Sequence, residues 1–387
     1  MSSELMSDRD LLARLVAFDS LSNKPSAPIA DFLADYLQAA GCEVKRYAYD
    51  DGRKANLIAR KGPDVEGGLL LSAHMDVVPA NEAGWTCEPF QLTERNGLYI
   101  GRGTADMKGF VALATNLIAR TSAETLSAPL VLLLTSDEEV GTVGAQKFVE
   151  AWDRPFALPG EAVVGEPTGL AVVRMHKGHL FIRLTITGRS AHSGYPHLGS
   201  SAIEPVAELI ALLRHIRKGL EAERSAQSAY FPECPHPVLN IGTITGGSAV
   251  NVVPECCVLD VGVRLMPGQS SEQFVKDFED RLASVASLPS DKVQGEVINN
   301  SPPMLCPQDA RIYTELCELA DQTECYGVSY ASDAGPLQKL GISSVLWGPG
   351  DIENAHRPNE YIEIEEFERA GRLLERLVGT RCGVSSG

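Results

Sequence analysis

The apolar positions in the first third of the chain follow two periods in turn. Ile29, Phe32, Leu33, Tyr36, Leu37 and Ala40 recur at helical spacing and stop at Gly41, which predicts an amphipathic helix with a glycine cap. Short apolar runs follow in "NLIAR", "GLLLSAH", "PLVLLLTS" and "EAVVGE", and helical spacing returns between several of them, over 107–120 and 143–151. Apolar runs of this length read as buried strands. Their alternation with helices predicts an α/β sheet covered on both faces.

After about residue 176 the pattern changes. "HLFIRLTITG" and "CCVLDVGVRLMPG" alternate apolar and polar residues with period two, as half-buried strands do, while 201–218 and 271–284 keep helical spacing. Two helices and roughly four strands predict a small α+β domain with helices on one face of its sheet. From about 295 the α/β texture resumes, with a helix near 309–320, a strand at "SSVLWG" and a last helix from 364. The expected organisation is a discontinuous α/β domain, residues 1–176 and 295–387, with an α+β domain inserted at 177–294.

Composition acts mainly by exclusion. A chain of 387 residues exceeds one ordinary core and suggests about two domains. Apolar residues at 44% and charged residues at 22% describe a globular chain with enough apolar side chains for a sizeable core. A formal net charge of −17, with no basic tract to offset it, argues against nucleic acid and anionic membranes as partners. No apolar run approaches the roughly 20 residues of a membrane span. The start carries no basic segment followed by an apolar one, so a secretory signal is not expected. Nine cysteines, an odd number without C-x-x-C pairs, read as reduced thiols and point to the cytoplasm.

The chemistry gathers where strands end. "LLLSAHMDVVP" sets His74 and Asp76 two apart past an apolar run; in extended geometry they share a face, so Asp76 can reach the ring nitrogen that His74 does not give to a metal. "GRGTADMKG" puts Asp106 in a glycine-flanked turn before a helix, where an N-cap is the ordinary alternative. It is not a dinucleotide fingerprint, because Asp106 stands at the third glycine position. "TSDEEVG" supplies Glu138 and Glu139, "VVGEPTG" supplies Glu166, and "GPGDIENAHRPNEY" delivers His356 in a Gly/Pro-shaped loop.

Each residue alone has a structural alternative, as a cap or a solvated strand end. Their recurrence matters more, because open α/β sheets gather ligand sites at the carboxyl ends of strands. Several carboxylates in one crevice repel unless a multivalent cation neutralises them. A mixed histidine and carboxylate set suits zinc better than calcium or magnesium, with cobalt and manganese as further candidates.

In order along the chain, "SAHMDVVP", "GRGTADMKG", "TSDEEVG", "VVGEPT" and "ENAHRPNEY" resemble the motifs of the M20 dinuclear metallohydrolases. The resemblance covers nearly the whole chain. It implies two divalent metal ions, with His74 and Glu166 on one, Glu139 and His356 on the other, and Asp106 bridging. It makes Asp76 the partner of His74 and Glu138 the general base. It makes the inserted segment a lid and dimerisation domain of a homodimer.

Three positions of that segment match the family as well. His192 in "GRSAHSGYPHLG" corresponds to a residue that steadies the oxyanion across a dimer interface. Arg264 in "DVGVRLMPG" suits a substrate carboxylate, and Asn251 in "GGSAVNVVP" suits a polar substrate contact. The implied activity is hydrolysis of a small-molecule N-acyl amino acid, with N-acetyl-L-ornithine first among the candidates. Gly335 and Pro336 stand where the nearest subfamily carries a Pro-aromatic pair, which bears on the substrate pocket. A noncatalytic binding protein on the same fold would be expected to lack a ligand or the base, and none is missing here. His176 and His179 read as structural or hinge residues, and His197, His215 and His236 as ordinary ones.

Overall fold

The computed structural model describes residues 5–285 and 292–383. The apolar runs form strands without an exposed position: Leu69–His74 and Leu130–Thr135 are buried throughout, as strands with helices above and below must be. These two pair in parallel. Glu161–Val164 adds in parallel to the free side of Leu69–His74, and Ser343–Leu346 extends the parallel block beyond it. Lys54–Lys61 pairs antiparallel with Leu130–Thr135, and Glu43–Tyr49 pairs antiparallel with Lys54–Lys61. The sheet is therefore mixed, and four consecutive strands end at the same edge.

From Leu69–His74 the chain moves to the neighbour on one side, Leu130–Thr135, and then crosses to Glu161–Val164 on the other. A reversal of this kind opens a crevice at the carboxyl ends of the strands. Helices Ala27–Ala39, Gly109–Arg120 and Ile364–Cys382 pack together as one group on the sheet, and Val143–Ala151 packs with Ala334–Leu337 in another. A small antiparallel sheet in the order Tyr361–Glu363, Leu98–Ile100 and Thr93–Arg95 stands apart from the main one.

One glycine fixes how Val143–Ala151 approaches the edge. A Cβ on Gly144 would lie 1.8 Å from the Ser136 carbonyl oxygen. Asn56 fastens the same contact, donating from Nδ2 to the Gly144 carbonyl at 2.7 Å and accepting the Ser136 N–H at 3.0 Å. Gly144→Ala is expected to lower stability by about 1–3 kcal/mol through overpacking. A lower urea midpoint at unchanged slope is the measurement that checks it.

The chain divides into two compact units. Described residues of Met1–Met175, Leu305–Tyr326 and Ser332–Gly387 form the first, and those of His176–Met304 and Gly327–Ala331 form the second. The return to the first unit comes later than the sequence pattern placed it. Val293–Ser301 is a strand that pairs with His179–Thr187, so position 295 lies inside the second unit's sheet. That strand is largely exposed and lacks the apolar alternation that marks its neighbours.

The second unit carries an antiparallel sheet in the order Val238–Gly246, Cys256–Arg264, His179–Thr187 and Val293–Ser301. Leu180, Ile182, Leu184 and Ile186 join Leu259, Val261 and Val263 in a core with Leu209, Leu213 and Ile216 of the helix Val206–Ala222 and Phe278 of Ser271–Ala283. One face is covered, as the period-two pattern requires. Among the described residues no helix is long and apolar enough to cross a membrane.

Candidate metal centre

Four site residues leave the parallel block at one edge. His74 ends its strand, Glu138 and Glu139 follow Leu130–Thr135, and Glu166 follows Glu161–Val164. Asp106 comes from the loop before Gly109–Arg120, and His356 from the loop after Ser343–Leu346. Three of the strands are apolar and buried, so their polar ends are held at a rigid rim.

Asp106 faces two histidines at once. Its Oδ1 lies 2.9 Å from His74 Nε2 and its Oδ2 3.3 Å from His356 Nε2. His356 Nε2 also lies 3.1 Å from Glu139 Oε1. His74, Asp106 and Glu139 each offer a ligand atom within 4.8 Å of the others. Glu166 is 4% exposed, and its Oε1 has no hydrogen-bond partner.

Acids outnumber the histidines in this cluster, and burial and mutual charge shift their pKa values. Burial, then the charge of Glu166, holds Glu138 well above the usual carboxylate range. Burial and the charge of Asp106 do the same to Glu166 and push Glu139 up to about 7. Burial would depress His74, but its hydrogen bond to Asp106 and the nearby carboxylates outweigh that and hold it well above its ordinary value. Hydrogen bonds to Asp106 and Glu139 raise His356 to about 10. In the absence of another cation the imidazoles keep protons to offset the acids. An orphaned carboxylate oxygen, a carboxylate facing two imidazoles and a third acid at ligand distance fit a divalent ion in place of those protons.

Asp76 stays close to His74 and makes its hydrogen bonds elsewhere. The atom nearest His74 Nδ1 is the Asp76 carbonyl oxygen at 2.9 Å, and the Asp76 carboxylate lies 3.7 Å away. The strand ends at His74, so the i, i+2 rule of extended chain no longer applies. The carboxylate instead accepts the N–H of Glu138 at 3.1 Å and of Glu139 at 3.3 Å, and Ser22 Oγ donates to it at 2.7 Å. Asp76 thus sets the backbone from which both glutamates project. Asp76→Ala is expected to cost roughly 10–100-fold in metal affinity or activity, the range for groups that orient ligands; metal titration of the folded variant checks it.

Sequence reasoning missed Asp333. It is 1% exposed, accepts a hydrogen bond from Thr135 Oγ1 through Oδ2, and leaves Oδ1 without a partner. Burial raises it to about 6, and its charge helps to raise Glu138 and Glu166. It lies in "YASDAG", beside Gly335 and Pro336, which are both buried in Ala334–Leu337. No apolar strand precedes it, so no strand-end signal marked it.

In the second unit, Arg264 ends a strand on the face away from the helices, half-buried and without a carboxylate partner among the described residues. Burial lowers its pKa from the ordinary arginine value. His192 and Asn251 are exposed and adjacent: His192 bridges to Val252, and the Ser193 N–H donates to the Asn251 carbonyl at 2.9 Å. His176 is fully buried and held down to about 4 by burial, with Nδ1 2.9 Å from the Lys177 carbonyl.

A mixed α/β sheet that converges two histidines and several carboxylates beyond its parallel strands defines a metallohydrolase type of centre. Residues 70–380 match Peptidase family M20/M25/M40, and the chain belongs to this family of hydrolases. It is similar to an acetylornithine deacetylase of Myxococcus xanthus, 36% identical over 99% of this chain and 100% of that one. Its fold is similar to an M20 family metallo-carboxypeptidase from Sulfolobus solfataricus, with a TM-score of 0.76 at 18% identity over 97% of this chain and 99% of that one. It is also similar to a Bacillus subtilis protein described as a dinuclear metal binding peptidase from the M20 family, with a TM-score of 0.63 at 15% identity over 96% of each chain.

Proposed function

We propose that this protein removes the acetyl group of N-acetyl-L-ornithine, releasing L-ornithine and acetate in arginine biosynthesis. The observation that carries the site is Asp106, whose two oxygens face His74 and His356 separately. In the proposed centre His74 and Glu166 would hold one divalent ion, Glu139 and His356 the other, and Asp106 would serve both. Zinc suits the donor set, with cobalt and manganese as replacements. The near full-length similarity to an acetylornithine deacetylase supports the choice of substrate.

An amide resists hydrolysis because its carbonyl is a poor electrophile and its nitrogen a poor leaving group. A bound pair of divalent ions supplies Lewis acidity for the carbonyl and lowers the pKa of the attacking water. Glu138 takes the proton of that water and returns it to the departing nitrogen. Arg264, half-buried and without a carboxylate partner among the described residues, receives the α-carboxylate of the substrate. Asn251 adds a polar contact, and His192 of a neighbouring subunit donates to the developing oxyanion.

The second subunit is supported by an apolar surface on the second unit. Ile244 and Val250 stand exposed on and just beyond the edge strand Val238–Gly246, and Tyr195, Leu198 and Ile203 of the same unit are exposed as well. A homodimer formed there would cover them. Nine free cysteines support a reducing, cytoplasmic setting.

A metal-reconstituted assay against N-acetyl, N-succinyl and dipeptide substrates, scoring released amine, tests the reading. N-acetyl-L-ornithine is expected to give the highest kcat/KM. A higher value for a succinylated diamine, N-acetylcitrulline or a dipeptide reassigns the substrate, and bound metal without any turnover overturns the enzymatic reading.

A further inference from the structure

Glu360 lies four residues beyond His356 and is 1% exposed. Its Oε1 accepts the N–H of Ala105 and the N–H of Asp106, both at 3.0 Å. Its Oε2 accepts from Arg102 Nη1 at 2.7 Å, and Arg102 is itself 1% exposed. The main chain reinforces the contact: the Gly101 N–H donates to the Glu360 carbonyl at 2.9 Å, and Thr104 Oγ1 donates to the same oxygen at 3.3 Å. Arg102 Nη2 reaches on to the Pro79 carbonyl at 2.9 Å and pairs with Glu82.

We propose that Glu360 is the positioning residue for Asp106, and that Arg102 is the counter-charge that keeps an ionised carboxylate at that buried point. The proposal rests on the reading of Asp106 as a bridge between two ions. A bridging carboxylate needs its plane fixed, because a small rotation about its own Cα turns one oxygen away from one ion. The two amides that Glu360 grips are those of Asp106 and the residue before it, which set where the Asp106 Cα sits. The same Glu360 belongs to the segment that carries His356. One carboxylate therefore couples the bridging acid to the last histidine, and a charged acceptor on two amides holds more firmly than a neutral one.

Removing one member of a buried ion pair leaves the other charge uncompensated and destabilises the fold, whereas replacing both with apolar residues of similar volume is often neutral. The informative variant is therefore Arg102→Met with Glu360→Met, compared with Glu360→Gln. Circular dichroism and thermal unfolding report the fold, titration with Co2+ reports affinity, and electron paramagnetic resonance of the di-Co2+ form reports whether the two ions are magnetically coupled through a bridge. Wild type is expected to bind two Co2+ ions that are coupled. The folded double variant is expected to bind the second ion roughly 10–100-fold more weakly, the range for groups that orient ligands, and to lose the coupling.

A purely structural pair predicts the reverse, with affinity and coupling restored once both charges are gone. A folded double variant with wild-type affinity and coupling overturns the proposal. If the double variant does not fold, Glu360→Gln decides on the same two readouts. If wild type itself shows one ion or two uncoupled ions, the bridging reading fails, and the proposal fails with it in a way the variants alone would not produce.

Discussion

Glu138→Gln is expected to lower kcat by roughly 10²–10⁴-fold, the contribution of a positioned general base, while metal content stays at the wild-type level. The split follows from how the two adjacent glutamates are held. Both take their backbone position from the carboxylate of Asp76, but they project differently. Glu139 lies 3.1 Å from His356 and within ligand distance of His74 and Asp106. Glu138 is half-buried, and no donor among the described residues holds its carboxylate. Burial and the neighbouring Glu166 raise its pKa above the usual carboxylate range. Glutamine keeps the shape and removes the capacity to accept a proton. Metal analysis beside single-turnover kinetics is the check, and a variant with full activity, or one that loses its ions, refutes the division of labour.

Asp106→Ala should have the second large effect and the opposite signature. In the proposed centre Asp106 serves both ions, so its loss is expected to weaken both by more than the roughly 10–100-fold typical of groups outside the ligand set. Activity should fall with occupancy and recover in part at high metal concentration. Calorimetric titration separates the cases. Two tight sites in the variant would exclude Asp106 as a bridge, whereas Glu139→Gln is expected to leave the ion held by His74 and Glu166 tight.

The fold was legible where burial imposes a pattern. "PLVLLLTS" and "GLLLSAH" are apolar because strands covered on both faces have no solvent side, and the helices begin and end close to the positions that spacing gave them, as Val143–Ala151 and Ser271–Ala283 illustrate. Val293–Ser301 was not legible, because an exposed edge strand needs no apolar face. His74, Glu138, Glu139 and Glu166 stood out as polar residues after apolar runs, whereas Asp106 and His356 lie in Gly-shaped loops and took their expected roles from the family resemblance. Asp333, Glu360 and Arg102 act through contacts between segments far apart in sequence, and nothing local distinguishes them from surface charges. Asp76 was read only as the partner of His74, which its carboxylate approaches to 3.7 Å; its hydrogen bonds to the amides of Glu138 and Glu139 depend on the bend after His74 and were not legible.

The clustered residues run from His74 to His356 in a chain of 387. His74, Asp106, Glu138, Glu139 and Glu166 lie in the first half of that span, whereas His356 and Glu360 come close to its end. The proposed centre is therefore assembled by long-range folding and not by a local motif, since its first and last residues stand at opposite ends of that span.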